Sequence, residues 1–286
     1  MKTTRRKFLQ TTGMAAGASL LLGPKNAFAV AVKKDISQHY AMLHDVTRCI
    51  GCQACERACC EKNGFPLPAD EPRVGTERKT GPEALTVVNA SSAGGKSTIF
   101  FKSQCMHCDQ PACVSACLVN AMYKTDEGPV IWQEDKCMGC RYCMVACPYD
   151  VPKFEYGSIN PRIRKCVMCY DRIQAEKIPA CAEACPQEAI IFGRRGDLLE
   201  IARKRIYDHP SRYVRHIYGE NEVGGTHMLY IAGVPFEQLG FRTDLGTTPY
   251  PEYTKTFLYS VPLALLLAPA FMLGLRQATK GRTDKD

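Results

Sequence analysis

The sequence predicts an α+β fold built from two pairs of cysteine-rich half-units with insertions, followed by one C-terminal transmembrane helix. Sixteen of the 17 cysteines fall into four quartets, each opening with C-x-x-C and closing with C-x-x-x-C. Short strand-like apolar runs flank the quartets, and an uncharged stretch of 19 residues occupies 257–275. The quartets are Cys49, Cys52, Cys55, Cys59; Cys105, Cys108, Cys113, Cys117; Cys137, Cys140, Cys143, Cys147; and Cys166, Cys169, Cys181, Cys185.

This spacing is typical of iron–sulfur ligation. Four thiolates hold one cubane, so sixteen cysteines predict four [4Fe–4S] clusters as cofactors. Three cysteines at two-residue intervals wrap one cubane, and the fourth points away to the other cluster of a pair, as in bacterial ferredoxins. The first and third quartets fit this run without insertion, whereas the second and fourth carry longer gaps. We therefore expect two pairs of bacterial ferredoxin-like 4Fe-4S units.

Two quartets lack the proline that usually follows the last cysteine and fixes φ there. Cys60 follows Cys59 and Leu118 follows Cys117, so local chemistry constrains these two corners least. Cys60, the cysteine outside the quartets, is interpreted as a small buried side chain rather than a ligand.

The residue before the second cysteine also differs between quartets. Gly51 and Gly139 occupy it in the first and third, and His107 and Met168 in the second and fourth. Glycine lets the backbone approach a cluster and aim N–H groups at its sulfurs. We expect the four potentials to differ partly for this reason.

Zinc and disulfides are the alternatives to iron and sulfide. Zinc favours paired C-x-x-C motifs, but those pairs usually lack a trailing C-x-x-x-C. Disulfides suit an exported chain, although C-x-x-C spacing is more typical of redox pairs than of structural bridges. Vestigial quartets are a third alternative, which nothing in the sequence favours.

The formal charge of +8 does not indicate nucleic-acid binding. Residues 1–29 hold five basic and no acidic groups, and 276–286 hold four basic and two acidic, which leaves about +1 for the body. The basic balance therefore belongs to targeting segments.

The N-terminus has the pattern of an export signal. Adjacent Arg5 and Arg6 precede an apolar stretch, and an A-x-A site ends at Ala29. We predict a twin-arginine signal peptide over 1–29, which would export a body folded around its clusters. A general secretory signal with an incidental arginine pair is the alternative.

The stretch 257–275 spans roughly 28 Å as a helix, close to the hydrocarbon thickness of a bilayer. Pro262 and Pro269 lie inside it, and basic residues dominate the tail 276–286. The positive-inside rule then predicts a single-pass protein of the cytoplasmic (inner) membrane with a periplasmic body and a cytoplasmic C-terminus. A buried soluble helix is the alternative.

Between the signal and the span we predict a four-cluster domain over 30–243 and a linker over 244–256. Residues 61–83 are rich in Pro, Gly and charge, which predicts a loop. Asp197 is expected to cap a helix over 197–207 that ends before Pro210. Strands are predicted over 40–46, 86–88, 98–101, 130–132, 190–192 and 227–234.

The remaining motifs carry no catalytic chemistry. Gly95-Lys96-Ser97 resembles the end of a phosphate loop, but Ala90 stands where the loop requires glycine. The six histidines show no metal spacing, and we predict no catalytic residues and no substrate site. Arg141, Lys153 and Lys165 lie near the quartets, and we expect them to be solvated.

The chain resembles the iron–sulfur electron-transfer subunits of the dimethyl sulfoxide reductase family, and within it the membrane-anchored hydrogenase 2 iron–sulfur subunits of the HybA family. The resemblance covers nearly the whole chain. It rests on the twin-arginine signal, C-I-G-C-Q-A-C, Q-C-M-H-C-D-Q-P-A-C, C-M-G-C-R-Y-C-M-V-A-C-P-Y-D-V-P-K, I-Y-G-E-N-E-V-G-G-T-H, A-G-V-P and the C-terminal helix.

The resemblance implies that the outer quartets exchange their last cysteines, and that the inner quartets do the same. It assigns four ligand sets: Cys49, Cys52, Cys55 and Cys185; Cys166, Cys169, Cys181 and Cys59; Cys105, Cys108, Cys113 and Cys147; and Cys137, Cys140, Cys143 and Cys117.

The resemblance also implies a non-catalytic relay between a periplasmic catalytic partner and an integral membrane quinone-reactive subunit. The expected partner is the small and large subunits of a [NiFe] hydrogenase, with membrane lipid around the helix. The beta subunit of a formate dehydrogenase or other molybdoenzyme complex is an alternative. A membrane-anchored zinc or disulfide scaffold is the alternative from another class.

Overall fold

The computed structural model describes residues 35–92, Gly95 and 98–279, and it alternates short strands with cysteine-bearing loops and helices. Four 3-10 turns add to these: Ile36–Gln38, Val46–Arg48, Glu222–Gly224 and Phe236–Leu239. The helices are α1 Ala54–Asn63, α2 Ala112–Ser115, α3 Tyr142–Ala146, α4 Tyr170–Gln174, α5 Ala180–Glu183, α6 Arg195–Asp208 and α7 Tyr250–Thr279. The strands are β1 Tyr40–Asp45, β2 Thr86–Ser91, β3 Ile99–Gln104, β4 Met122–Lys124, β5 Val130–Trp132, β6 Lys153–Phe154, β7 Ile163–Arg164, β8 Ile190–Arg194 and β9 Met228–Ile231.

A three-stranded sheet of order β8–β1–β9 forms the centre of the fold. Strand β1 runs antiparallel to β8 and parallel to β9. Ala41 and Leu43 face α6, where they pack with Leu198 and Ala202, while Met42 faces the core beside the cysteine loops. Because successive side chains of a strand alternate between faces, a short apolar strand serves both cores.

Three two-stranded hairpins carry the loops between the quartets. Strand β2 pairs with β3, β4 with β5 and β6 with β7, all antiparallel. In the β2–β3 hairpin Val88 lies opposite Lys102, which places a lysine in the interior beside the quartets. Each of the six predicted strands has a counterpart, and β2 and β3 each extend three residues beyond the predicted end.

Helix α6 corrects one sequence expectation. The helix begins at Arg195, with Arg194 as N-cap residue and no side-chain capping bond, so the prediction of Asp197 as the cap is wrong. Asp197 lies instead in the first turn, where a carboxylate still favours the helix dipole.

Helix α7 is longer than the predicted span of 257–275. It begins at Tyr250 and takes in the second half of the stretch predicted as a linker, 244–256. The 27-residue segment Tyr250–Arg276 is long and apolar enough to cross a membrane, and its side chains are exposed. The signal peptide predicted for 1–29, and most of the basic tail, lie outside the described residues.

Candidate metal centres

The four quartets share one backbone feature that the sequence shows only in part. The residue before the second cysteine has a left-handed φ in every quartet: +72° at Gly51, +46° at His107, +72° at Gly139 and +56° at Met168. Non-glycine residues pay roughly 1–2 kcal/mol for this conformation. The two quartets without glycine nevertheless share the left-handed φ at this position, although the next residues differ: Gln53 and Arg141 are left-handed in the first and third quartets, and Cys169 is in the fourth.

The structure brings the sixteen quartet cysteines into four groups, numbered here by their order in space. These are the sets that the resemblance implies; that each binds a cluster stays a prediction. Electrostatic contacts define group 1 (Cys49 with Cys52, Cys55 and Cys185), group 2 (Cys59 with Cys166, Cys169 and Cys181), group 3 (Cys108 with Cys105, Cys113 and Cys147) and group 4 (Cys143 with Cys117, Cys137 and Cys140).

Helix geometry explains why the last cysteine of each quartet leaves its own group. Cysteines four residues apart on a helix lie on one face but about 6 Å apart along the axis. Helix α1 carries Cys55 of group 1 and Cys59 of group 2, and it packs on α5, which carries Cys181 of group 2. Helices α2 and α3 pack on each other and join groups 3 and 4 in the same way.

The corner at Cys59 is the one where the missing proline changes the backbone. Helix α1 runs past Cys59 to Asn63 and ends at Gly64, whose φ is +67°. The Asn63 side chain donates to the carbonyl of Cys59 and lies 3.6 Å from its Sγ. Cys60 is buried, as expected, and the charges acting on it come from Glu56 and Glu61, not from another cysteine.

The corner at Cys117 is held by backbone donors instead. Its Sγ accepts hydrogen bonds from the N–H groups of Ala121 at 3.2 Å and Met122 at 3.4 Å. N–H groups directed at a thiolate sulfur stabilise its negative charge and raise the potential of an attached cluster.

The groups form one unbroken series. Cys55 of group 1 interacts with Cys181 of group 2. Cys166 of group 2 interacts with Cys105 of group 3, and Cys113 of group 3 with Cys143 of group 4. Groups 1 and 2 are built from the first and fourth quartets of the sequence, and we call them the outer pair. Groups 3 and 4 are built from the second and third quartets, and we call them the inner pair.

The spacing of the sulfurs suits a cubane better than a single zinc ion. Zinc–sulfur bonds of about 2.3 Å bring tetrahedral sulfurs to roughly 3.8 Å of one another. In the part of the chain that the structure describes, no three quartet sulfurs lie within 4.8 Å of one another. A cubane separates its ligands because each thiolate binds a different iron, and all seventeen cysteines are free thiols.

Burial makes these thiols reluctant to ionise on their own. Burial raises the pKa of Cys49 to about 11 and that of Cys55 to about 12, and Lys102 opposes the rise. Burial likewise raises the pKa of Cys113 to about 12 and that of Cys143 to about 11. Because iron binds the thiolate, loading of a group must release protons.

Two buried lysines lie between the groups. The Lys102 side chain is fully buried, and its Nζ lies 3.6 Å from Cys181 Sγ. The Lys165 Nζ donates to the carbonyls of Val130 and Cys166 and lies 3.9 Å from Cys105 Sγ. The expectation that Lys165 is solvated is therefore wrong, since only 4% of it is exposed.

Of the other two basic residues near the quartets, Arg141 fits the expectation, whereas Lys153 fits it only in part because its side chain is 18% exposed. Arg141 is exposed and its guanidinium lies 5.3 Å from the centre of the Phe154 ring. Lys153 pairs with Asp150 at 2.7 Å, with the Asp150 side chain largely in solvent.

A buried histidine borders the group 1 cavity. His44 Nε2 accepts the backbone N–H of Lys102, so its Nδ1 carries the proton and has no partner within the described residues. Burial, and then Lys102, lowers the pKa of His44 to about 3, which keeps the ring neutral. His44 lines one cavity with Cys49, Cys52, Cys55 and Cys185. The four sulfurs and this N–H donor fit an iron–sulfur group.

Three side chains come together beside group 3 without any spacing signal in the sequence. Ligand atoms of His39, Asp109 and His227 lie within 4.8 Å of one another. The His39 and His227 rings hydrogen bond at 3.2 Å, His227 Nδ1 donates to His107, and Asp109 pairs with Lys124 at 2.7 Å. These bonds already account for the geometry, so the cluster is a polar core contact next to Cys108.

Comparison with known proteins places these centres in a family. The 4Fe-4S dicluster domain matches residues 48–121 and again residues 96–195, which together include all four quartets. A protein of Nitratidesulfovibrio vulgaris is 43% identical over 96% of this chain and 77% of its own length.

Two named relatives are more distant. The hydrogenase-2 operon protein HybA of Escherichia coli is 33% identical over 99% of this chain and 96% of its own length. The nitrate-inducible formate dehydrogenase iron–sulfur subunit of Escherichia coli is 33% identical over 69% of each chain.

Proposed function

The chain belongs to the family of 4Fe-4S dicluster iron–sulfur subunits to which HybA and the formate dehydrogenase iron–sulfur subunits also belong, and on that premise we propose that it relays electrons between a periplasmic catalytic subunit and a quinone-reactive membrane subunit. The observation that carries this proposal is the unbroken series of four cysteine groups. In this proposal the protein transfers electrons and the partner subunit carries out the catalysis.

Four [4Fe–4S] clusters are proposed as its cofactors, one for each group. When bound, they supply one-electron carriers. The protein holds them with sixteen thiolates, all of them buried or half-buried except Cys52 and Cys140, and directs N–H groups at the cysteines, as at Cys117. Anaerobic purification should yield about sixteen irons and sixteen acid-labile sulfides per chain. Zinc without labile sulfide would instead support a metal scaffold.

The two ends of the series of groups differ in their surroundings, and this difference supports an assignment of one partner subunit to each end. Exposed apolar side chains surround group 4: Leu118 is 77% exposed, Met138 62% and Val145 81%. Helix α2, which precedes Cys117, contacts the apolar helix α7. We place the contact with the membrane subunit at group 4 and the contact with the catalytic subunit at group 1, where Cys52 is exposed.

A [NiFe] hydrogenase, with its small and large subunits, is the catalytic partner proposed. The support is the end-to-end match to a hydrogenase-2 operon protein, because the formate dehydrogenase relative aligns over 69% of each chain only. Co-purification in mild detergent followed by metal analysis tests the partner. Nickel in the complex supports a hydrogenase, and molybdenum supports a formate dehydrogenase or other molybdoenzyme in its place.

The cytoplasmic membrane is the proposed location, with the body on the periplasmic side. The long exposed apolar helix α7 supports an anchor, and the basic tail supports a cytoplasmic C-terminus. A reporter that functions only in the cytoplasm should be active when fused after Asp286.

Exchange of Arg5 and Arg6 for Lys should retain the body inside the cell, and continued export would exclude the twin-arginine route.

A further inference from the structure

Lys102 and Lys165 are buried lysines whose ammonium groups each lie within 4 Å of a cysteine sulfur. Both are nearly or fully buried, and neither forms an ion pair with a carboxylate among the described residues. By contrast, the partly buried Lys124 pairs with Asp109 at 2.7 Å, and the buried Arg195 donates to the backbone carbonyls of Thr226, Gly219 and Glu220. An ammonium taken out of water without a counter-charge is strongly unfavourable. Carbonyl oxygens accept hydrogen bonds from both lysines, but the nearest groups that can carry negative charge are cysteine sulfurs rather than Asp or Glu.

The neighbours of Lys102 identify that charge. Cys55 of group 1 and Cys181 and Cys166 of group 2 act most strongly on it, together with Tyr230. Its Nζ also donates to Gln104 Oε1, and the amide of Gln104 is fixed by a contact from its Nε2 to Met228 Sδ at 3.1 Å. Gln104 thus holds the ammonium between the two outer groups.

Lys165 occupies the corresponding place one step along the series. Its Nζ lies 3.9 Å from Cys105 Sγ of group 3 and 2.9 Å from the carbonyl of Cys166, a group 2 residue. Its charge also acts on the buried Cys113 and the half-buried Cys147 of group 3. One lysine therefore lies between groups 1 and 2, and the other between groups 2 and 3.

We propose that Lys102 and Lys165 are the built-in counter-ions of the cluster series and raise the reduction potentials of the clusters beside them. This inference rests on the proposed function, since it requires clusters in the groups. Reduction adds one electron to a cluster and makes it more negative, and an adjacent buried cation stabilises that state. Both lysines thus act on electron transfer through the clusters beside them. Residues of group 2 contact both lysines, so we expect the reduction potential of the group 2 cluster to change most.

The test uses the full-length chain, purified anaerobically in detergent and titrated against ambient potential with electron paramagnetic resonance detection. The variants are Lys102→Met and Lys165→Met, which keep the length of the side chain and remove its charge. Lys153→Met is the matched control, because it makes the same charge change at a lysine that already has a carboxylate partner, Asp150, at 2.7 Å. Iron and sulfide content is measured for every protein before titration.

In each neutral variant we expect at least one cluster signal to show a tenfold lower ratio of reduced to oxidised form at a fixed potential, which is a shift of 59 mV to lower potential for one electron. Lys102→Met should shift group 1 or group 2 signals, and Lys165→Met group 2 or group 3 signals. The Lys153→Met titration should coincide with the wild type.

Fully loaded variants with unshifted titrations would overturn the counter-ion role. If Lys102→Met fails to load, Lys102→Arg decides, because it restores the charge: recovered clusters support the proposal, and continued loss shows that the site depends on packing instead. Absence of iron and sulfide from the wild-type protein is a different result, which refutes the proposed function before any lysine is compared.

Discussion

Groups 2 and 4 each contain four cysteines but lie in different surroundings. In group 2 Cys181 is buried in the core beside the central sheet, Cys166 is buried next to it, and both face the charge of Lys102. In group 4 of the inner pair Cys140 is exposed, and no lysine or arginine is among the principal charges acting on Cys143. The same motif therefore yields a charged, dry environment at one place and a wet, apolar-rimmed one at another.

This difference teaches that ligand spacing and cluster environment are separate properties. Spacing sets how many irons a loop holds, whereas burial and buried charge set how tightly the cluster is retained and at what potential it works. Each prediction below changes a residue in one pair and compares it with a counterpart elsewhere.

The largest effect is expected from loss of a buried ligand. Cys181→Ala should remove about four irons per chain, and more if group 1 is lost with it, because Cys181 faces both Cys55 and Lys102. The exposed counterpart Cys140→Ala should cost about one iron, since water can reach that corner. Iron and sulfide analysis after anaerobic purification measures both, and equal losses would show that burial does not decide retention.

The next effect concerns the ion pair that holds helix α1 in the outer pair. Arg78 contacts both carboxylate oxygens of Glu56, at 2.5 and 2.8 Å, and the Glu56 side chain is 2% exposed. Arg78→Met should leave that carboxylate buried and unpaired, at a cost of about 3–5 kcal/mol. The measurement is the urea concentration at which half of the visible cluster absorption is lost.

The control for this variant is Arg242→Met, whose partner Asp244 is 66% exposed. We expect no measurable change in its urea midpoint, because water replaces the lost partner. A similar loss in both variants would mean that general charge, not burial, stabilises α1.

A smaller effect should distinguish two equivalent glycines. Gly51 and Gly139 have the same φ of +72°, so alanine at either should cost roughly 1–2 kcal/mol of backbone strain. A Cβ at Gly51 would lie 2.5 Å from Phe100 Cδ1, whereas at Gly139 the nearest atom is Phe154 Cε2 at 3.9 Å. Gly51→Ala should therefore lower the urea midpoint more than Gly139→Ala, and the reverse order would exclude the Phe100 contact as the cause.

The smallest effect is a pH dependence in the β6–β7 hairpin. Burial alone would raise the pKa of Glu155, but the hydrogen bond from Arg164 at 2.5 Å outweighs it and the pKa is lowered. A lowered folded-state pKa stabilises the protein above the ordinary carboxyl value of about 4.3, and this stabilisation is lost as pH falls through the folded-state pKa.

Glu155→Gln should remove that dependence, at a cost of about 1 kcal/mol or less near neutral pH. Hydrogen exchange of residues 153–164, followed from neutral pH to well below the ordinary carboxyl value of about 4.3, measures it. Glu134→Gln, at an ion pair with Arg162 in which both side chains are at least 40% exposed, is the control. A pH profile of Glu155→Gln that matches the wild type would assign the hairpin's acid sensitivity to other groups.

Much of the fold could be predicted from local pattern. Strand-length apolar runs identified β1, β5 and β8, and the uncharged stretch identified α7, because these signals depend on residues near one another. The start of α6 was missed because its N-cap, Arg194, has no capping side chain. The start of α7 was missed because Pro251 lies in its first turn, where proline is tolerated.

The candidate site divides in the same way. A lysine directly before Cys166 was a visible signal, yet its burial depends on Val130 and Cys105, far away in the chain. Lys102 gave a weaker signal, a single cation in the run I-F-F-K-S-Q, and its sulfur partner Cys181 is 79 residues away. His39 and His227 meet across 188 residues and left no local trace.

The sequence by itself determined the number and chemistry of the ligands, because a cubane takes four thiolates and spacing within a loop is a local property. Tertiary structure decided what spacing left open and only the family resemblance implied, namely which cysteines share a group, since that depends on α1 packing on α5 and α2 on α3. Tertiary structure also decided which charged side chains are buried. The Lys102 ammonium has no carboxylate partner, and it is tolerated in the interior because packing places it beside the sulfurs of two groups.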